Sequence, residues 1–441
     1  MKGCGRWASG EVSQSPCERL GRSRTAPAPI CDLTGVALIR ASAPLSRELR
    51  RLLPSRPFHV RFWDGRSVQA TVADGPTFFV RAPSALAHFL RAPGTLGLGR
   101  AYVDGSLAVD DLDSAFEVID TWEPPPMSAP DRVRLGLTLA AAAAPGGIPR
   151  RPSLELILRG RLHSVDRDAA AVRYHYDVGN DFFALFLDES MTYSCAVFSR
   201  GAQTLEEAQR TKLELVASKL ELKPGMRVLD VGCGWGAFAI HAARHHGVKV
   251  TGVTISPAQA ELARERVREA GLAEEVEILV ADYRQLPRAS FDAIASIGMS
   301  EHVGDSQIDV YASSLFTLLR PGGLLLNHAI SAMDPDDEPL EDLFSTRYVF
   351  PDGETLPLSR VQLALERAGF HTEHVEAFRE DYAVTLDHWA RRLDRHLDEA
   401  QRLAGDERLR VWRLYLRAAG RGFAIGLTAV YQVRTRRPAE G

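Results

Sequence analysis

Asp230-Val231-Gly232-Cys233-Gly234-Trp235-Gly236 sets an acidic side chain two positions before the first of three glycines at every second position. Apolar residues from Val228 lead into it, and a helical pattern leaves it from Ala237 to about His246. The stretch therefore reads as a buried strand, a tight turn and a helix. Glycine is needed in such a turn where a ligand must approach the backbone closely and a Cβ would obstruct it. Dinucleotide-binding folds use a related turn, but G-x-G-x-G with Asp at this offset is the S-adenosylmethionine version. A sulfonium donor carries an already electrophilic methyl carbon. The other residues must then orient the reactants, exclude water and handle a proton.

The surrounding pattern supplies elements that would hold such a site. Gln203 to Leu222 reads as a long amphipathic helix closed by Lys223-Pro224-Gly225. Lys249–Thr254, Val276–Val280, Phe291–Ile297 and Leu324–His328 read as strands, with helices over Pro257–Ala270 and Ile308–Leu319. Repeated strand–helix units imply a mostly parallel sheet covered on both faces. Ligands of such sheets sit beyond the carboxyl ends of the strands. Asp230, Thr254, Asp282, Gly298 to His302 and His328 all fall at that rim. Upstream, Tyr174 to Phe183 and Met191 to Ala196 are too rich in Tyr, Asn, Asp and Cys to be good core, which makes them candidate walls of a site.

Before this unit, residues 34–122 form a smaller α+β module. Phe58–Phe62 and Val68–Val72 make a hairpin around Asp64-Gly65, Thr77–Val80 a strand, and Ser84–Arg91 a serine-capped helix. Residues 123–165 read as a linker containing a helix, between Pro124-Pro125-Pro126 and Pro145-Gly146-Gly147. Residues 166–441 carry the catalytic unit. The first 33 residues lack an apolar run and are expected to be a disordered extension or the result of a start placed too far upstream.

Composition narrows the classes. The 441 residues are 45% hydrophobic and 25% charged, an ordinary globular balance, and the net charge of −4 gives no case for nucleic-acid binding. Cys4, Cys17, Cys31, Cys195 and Cys233 show no C-x-x-C spacing, which suits a reducing cytoplasm. No metal site is expected, with His241, His245 and His246 decorating one helix. No apolar stretch reaches the eighteen residues a membrane span needs.

An ordered set of motifs resembles the cyclopropane-fatty-acyl-phospholipid synthases and the mycolic acid cyclopropane synthases. It comprises Tyr174-His175-Tyr176-Asp177, Tyr193-Ser194-Cys195, Asp230 to Gly236, Gly252-Val253-Thr254-Ile255-Ser256, Asp282-Tyr283-Arg284, Ser296-Ile297-Gly298-Met299 and Glu301-His302-Val303-Gly304. It continues with Asn327-His328-Ala329-Ile330, Tyr348-Val349-Phe350-Pro351, Tyr382 to Leu386 and Phe423-x-x-Gly426-x-x-x-Val430-x-Gln432. The resemblance implies an α/β fold of the class I S-adenosylmethionine-dependent methyltransferase type (Rossmann-like, mostly parallel) with a smaller N-terminal α+β domain. It also implies a peripheral enzyme of the inner membrane surface acting on unsaturated phospholipid acyl chains, with a homodimer left open.

By the same resemblance, S-adenosylmethionine would be bound by Tyr193, Ser194, Asp230, Gly232, Gly234, Gly236, Thr254, Gln259, Asp282 and Tyr283. The new methyl must lose a proton for the ring to close, and the resemblance implies a bound bicarbonate as base. Its cradle would be the backbone amides of Cys195 and Ile330 with the side chains of Glu301, His328 and Tyr348. Tyr174, Tyr176, Tyr193 and Tyr348 could stabilise the intermediate cation. There are departures: Ala418-Ala419-Gly420 stands where relatives often carry a cysteine, and Ser300 replaces a bulkier residue. Two other functions compete, a fatty-acyl C-methyltransferase giving methylene- or methyl-branched chains and a catalytically silent cofactor-binding scaffold. For membrane attachment, Arg47, Arg50, Arg51 and Arg56 beside Leu49, Leu52 and Leu53 are the expected basic, amphipathic patch.

Overall fold

The computed structural model describes residues 42–72, 75–176, 178–288, 290–334 and 343–439. The expected N-terminal extension (residues 1–33), Cys4, Cys17, Cys31 and Asp177 lie outside the described residues. The chain builds two sheets. Strands β1 (His59–Phe62), β2 (Ser67–Val68), β3 (Thr77–Val80) and β4 (Leu107–Val109) form the first, in the order β2-β1-β3-β4. The expected hairpin is present as β1 against β2, with the return strand only two residues long. The helix Ser84–Arg91 starts at Pro83 with no side-chain cap, so Ser84 does not cap it.

The second sheet holds β5 (Arg227–Val231), β6 (Lys249–Thr254), β7 (Val276–Val280), β8 (Phe291–Ile297), β9 (Leu319–Ala332), β10 (His371–Ala377) and β11 (Thr428–Arg436). Their order is β10-β11-β9-β8-β5-β6-β7. The five strands from β9 to β7 pair in parallel, and β11 and β10 add an antiparallel edge. Because β5 is joined onward to β6 on one side while β8 lies on the other, the strand order reverses between β5 and β8. That is where such sheets open a crevice. Val228, Leu229, Ala293, Ile294 and Ala295 are fully buried, as expected of strands covered on both faces. β9 runs four residues beyond the expected end at His328, because β11 pairs with it all the way from Leu324 to Ala332.

Two expectations are corrected. The aromatic stretch upstream of the sheet is core as well as wall: Phe182, Phe183, Phe186 and Cys195 have no exposed surface and join Trp389 and Trp412 in one cluster. Of the arginines proposed for membrane attachment, Arg56 is spent inside the first module. Arg56 is buried, donating to the carbonyls of Gln69 (2.7 Å) and Leu53 (2.5 Å). Arg51 pairs with Glu48 and Asp131, and Arg50 donates to Ser67 O. Leu52 is buried and Leu49 packs on the module's core, while Arg47, Arg50 and Arg51 remain exposed.

The helix Val165–Tyr176, which walls the cavity described below, is fastened by charge. His163 lies 3.8 Å from both Asp168 and Glu354 and is pushed up to about 9 by those carboxylates. A raised folded value means stability present below the free value near 6.5 and lost as pH climbs through about 9. His163→Gln should therefore lower unfolding free energy by about 1–2 kcal/mol at pH 6, allowing for solvent screening. Its deficit against wild type should vanish by pH 10 in urea titrations. A deficit independent of pH would mean that packing, not charge, is what the histidine supplies.

Candidate active site

The glycine turn is built as its sequence requires. Gly232 (φ +77°), Gly234 (φ +53°) and Gly236 (φ +82°) all sit in the left-handed region. The amides of Gly232 and Cys233 both donate to Val253 O, which locks the turn to the end of β6. A Cβ on Gly234 would meet nothing within 4 Å and would project into open space. The helix Ala237–His246 begins directly behind the turn. Trp235 donates its indole N–H to Asn180 Oδ1 at 2.8 Å, tying the turn to the upstream aromatic segment.

A cavity lies over this turn at the strand rim. Tyr193, Ser194, Asp230, Gly232, Gly234, Thr254, Gln259, Asp282 and Tyr283 all line it. Gly236 does not; it caps the following helix and packs toward Ala263. Thr254 donates to Gln259 Oε1 at 2.8 Å, so the Gln259 amide N–H₂ is left to donate elsewhere. Both Asp282 oxygens are held by Arg284 (2.9 and 2.6 Å), which also reaches Asp168 at 2.9 Å. That arginine fastens the helix Val165–Tyr176 across the cavity's edge. Trp235, Met299 and His302, which the motifs already held, also line it, and so does Lys212, which sequence reasoning passed over. Lys212 had a signal, a lysine at a position on the amphipathic helix Leu205–Lys219 that turns out fully buried.

Electrostatics mark two carboxyls. Asp230 is buried with Oδ2 lacking any partner, and desolvation pushes it up to about 7. Glu301 accepts from the Ile330 amide at 2.8 Å through Oε1, while its Oε2 is sealed and unpaired; burial pushes it too up to about 7. The Ile330 amide expected to face a bound anion is therefore engaged by Glu301.

The protonation of His328 follows from its neighbours. Lys219 can only donate, and it donates to Gln432 Oε1 at 2.6 Å. The Gln432 N–H₂ must then donate to His328 Nδ1, 3.0 Å away, which leaves the proton on Nε2. Burial holds the imidazole well below its ordinary range, so it is neutral and presents an N–H donor.

The remaining calls divide. Cys195 is wholly buried, its thiol toward Ala196 O and Phe378 O, and burial holds it far from ionisation. The Tyr348 hydroxyl bonds Glu155 at 3.4 Å, beside Arg100. Tyr174 likewise donates to Leu154 O, and it shares a small crevice with Tyr348 rather than the cavity. Of the four tyrosines proposed to face a cation, Tyr176 and Tyr193 line the cavity. Among the described residues Glu214, His241 and His246 converge, with both imidazoles bonded to the Glu214 carboxylate. The three histidines do share one helix, as expected.

Comparison with known proteins agrees with this geometry. Residues 163–433, more than half of the chain, match the family model for mycolic acid cyclopropane synthetase. The chain belongs to that family. It is an S-adenosylmethionine-dependent methyltransferase. A probable fatty acid methyltransferase of Pseudomonas putida is 36% identical over 87% of this chain and 92% of its own length. The cyclopropane-fatty-acyl-phospholipid synthase of Escherichia coli K12 is 36% identical over 77% of this chain and 82% of its own. A solved mycolic acid cyclopropane synthase, CmaA1 complexed with SAH and CTAB, superposes with a TM-score of 0.58 at 35% identity, covering 61% of this chain and 98% of that one.

The turn yields a test. Gly234→Val places a branched side chain where the space is open and the backbone left-handed. It is expected to lower S-adenosylhomocysteine affinity by 10²-fold or more, roughly the loss of about 3 kcal/mol, with the circular dichroism spectrum retained. Undiminished affinity in the folded variant would remove the turn from the cofactor site.

Proposed function

We propose that this enzyme transfers the sulfonium methyl of S-adenosylmethionine to the cis double bond of unsaturated phospholipid acyl chains and closes a cyclopropane ring. The observation that carries the proposal is Glu301, a carboxyl at the rim of β8 and β9 with one sealed, unpaired oxygen and a proton affinity raised to near neutrality. Alkene π electrons bond to the methyl carbon as its S–C bond breaks, releasing S-adenosylhomocysteine and leaving a cation on the adjacent chain carbon. Loss of a proton from the transferred methyl frees the C–H electron pair for the third ring bond. The net change is one added methylene and one released proton. Tyr176 and Tyr193 offer ring faces to the cation, and a base near neutrality suits the final step.

The family resemblance implies bicarbonate as that base. An orphaned Glu301 oxygen, on a carboxyl bonded to the Ile330 amide two residues along β9 from a His328 that presents a fixed N–H, fits a small anion carrying its own hydroxyl. Glu301, His328 and Tyr348 would hold it, with the Cys195 and Ile330 amides; the Tyr348 hydroxyl would turn to it from Glu155, and the Ile330 amide would be shared with Glu301. Bicarbonate supplies a compact proton acceptor when bound, and Glu301 takes the proton onward.

A second reading has its own support: the Pseudomonas putida relative is named as a fatty acid methyltransferase. The same cation losing a chain proton instead gives a branched alkene. Expression in a host lacking both lipids, followed by mass spectrometry before and after mild hydrogenation, separates them. A ring resists hydrogenation, whereas a methylene branch takes up hydrogen and would overturn the cyclopropane reading. In the same assay Glu301→Gln and His328→Gln should cut product formation by roughly 10² or more while keeping donor affinity, and bicarbonate depletion should slow the wild type. Wild-type rates in both variants would reject the base site.

The lipid surface is met, on this reading, by the helix Ala129–Ala143. Val133, between exposed Arg132 and Arg134, is 62% exposed there, Leu137 one turn on is 68% exposed, and Ile148 beyond the helix is 83% exposed. No helix among the described residues is long and apolar enough to cross a membrane, so attachment would be peripheral. Val133→Asp with Leu137→Asp should abolish sedimentation with anionic phospholipid vesicles while S-adenosylhomocysteine still binds. Sedimentation equal to wild type would move the docking face elsewhere.

A further inference from the structure

Outside the cofactor cavity, metal-ligating side chains from two helices meet at one point. Glu214 lies on the helix Leu205–Lys219, and His241 and His246 lie on the helix Ala237–His246. His241 Nε2 is 3.2 Å and His246 Nε2 is 3.1 Å from the same Glu214 oxygen, Oε2. Ligand atoms of all three lie within 4.8 Å of one another. Donors held at the usual zinc distances around a tetrahedral ion stand about 3.3 Å apart, so each nitrogen already sits from the oxygen at nearly the separation of two corners of such a shell. Among the described residues no lysine or arginine pairs with Glu214, whose charged partners are the two imidazoles. The side chains of His241 and His246 are 12% and 18% exposed and that of Glu214 55%, so the nitrogens are held by packing while the carboxylate side is open to an ion from solvent.

Sequence spacing points to a different pair. On a helix His241 would be expected to chelate together with His245, four residues on. Their rings are 4.7 Å apart, but His245 is exposed, and it is His246 whose nitrogen reaches Glu214. His246 is the last residue of its helix, before Gly247 in the left-handed conformation. The third ligand comes from a different helix, which no local pattern can show.

We propose that Glu214, His241 and His246 form a divalent transition-metal site of the zinc class, with a fourth position open to water. Each imidazole gives its Nε2 lone pair and keeps its proton on Nδ1, and Glu214 gives a carboxylate oxygen. Two imidazoles and one carboxylate suit zinc, whereas magnesium and calcium take oxygen ligands. The site lies behind the methyl-donor cavity and not in it. Lys212 and Leu213, which precede Glu214, line that cavity, and so do Ala237 and Phe238, one turn before His241. A bound ion joins two helices that wall the cavity, as a staple and not as a catalyst.

The experiment takes the untagged full chain, freed of metal by dialysis against a chelator, and titrates it by calorimetry with Zn²⁺ and separately with Mg²⁺. Wild type should take up one equivalent of Zn²⁺ and no Mg²⁺. Its Tm should rise by roughly 5 °C or more at a hundredfold excess of Zn²⁺ over Kd. Glu214→Gln, His241→Gln and His246→Gln should each weaken Zn²⁺ binding by roughly 10²-fold or more, at least what loss of a supporting group costs a metal site. His245→Gln should leave it unchanged. Co²⁺ should give the visible absorption of a tetrahedral nitrogen–oxygen site in wild type and not in the triple variant. Circular dichroism and S-adenosylhomocysteine affinity should match wild type throughout, which separates loss of a ligand from loss of the fold; should one variant misfold, the other two carry the test. A wild type that takes up no Zn²⁺ overturns the proposal, and so does Zn²⁺ binding that survives in the triple variant. Losses as large in His245→Gln as in His246→Gln overturn the assignment of the ligands.

Discussion

Carboxylates seldom enter a protein interior with an oxygen unpaired, since the desolvation is not repaid. Asp230 and Glu301 both do so, at the ends of β5 and β8, the two strands between which the sheet order reverses. Their placement explains much of what surrounds them. Strands covered on both faces exclude water, and the same exclusion lifts both carboxyls to about 7. Asp230 is then a group that gains from a cationic ligand, and Glu301 one that can accept a proton near neutral pH. Water exclusion is what a carbocation needs as well, because a stray water would trap it before the ring closed. On the proposed reaction, one physical condition would thus serve cofactor recognition, base strength and intermediate lifetime.

The antiparallel edge of the sheet sets which nitrogen of His328 carries the proton. Glu376 pairs with Lys219, Lys219 donates to Gln432, and Gln432 donates to His328. Each member can act in only one sense, because an ammonium has no lone pair to accept with. The chain of donors runs inward from a half-buried ion pair to the rim of β9. His328 therefore presents an N–H there, and on the proposed reaction Glu301 would be the acceptor. Gln432 earns its place through this relay rather than through contact with the cofactor.

The glycine turn, β5 to β8 and the helices between them were legible because each carries a strong local signal: apolar strands, glycine stops and serine or proline starts. Nine of the ten expected cofactor residues line one cavity for the same reason, as strand ends in a parallel sheet must converge. What failed to show in the sequence depended on long-range partners. The orientation of Tyr348 is set by Arg100 and Glu155, far away in the chain. Arg56 looked like a surface charge and is instead a buried clamp on two carbonyls. Lys212 belongs to an amphipathic helix whose buried face a pattern can locate, but not the cavity beneath it. Phe182 and Phe183 were discounted as core because polar residues surround them, yet packing places them at the centre of the largest aromatic cluster.

The fate of Tyr348 bears on what the first module does. Arg100, on the helix Thr95–Val103, holds Glu155 in a two-pronged ion pair at 2.6 and 2.7 Å, and Glu155 in turn holds the Tyr348 hydroxyl. One residue away from Arg100, a Cβ on Gly99 would come within 2.3 Å of the Phe344 ring, so the two segments are in close contact. Arg410 donates to Val103 O, and Arg417 bridges Asp113 to Asp394. These contacts fix the helix Leu343–Tyr348, and through Val349 O they fix His175, whose imidazole stacks on Phe350 at 4.2 Å and lies 5.6 Å from Tyr193. Tyr193 is a cavity wall. Removing the first module would therefore uncover Phe344, strand Glu155 without its cation and loosen the aromatic shell beside the cavity. Its placement is a condition of the site's rigidity, whatever it contributes at the lipid surface.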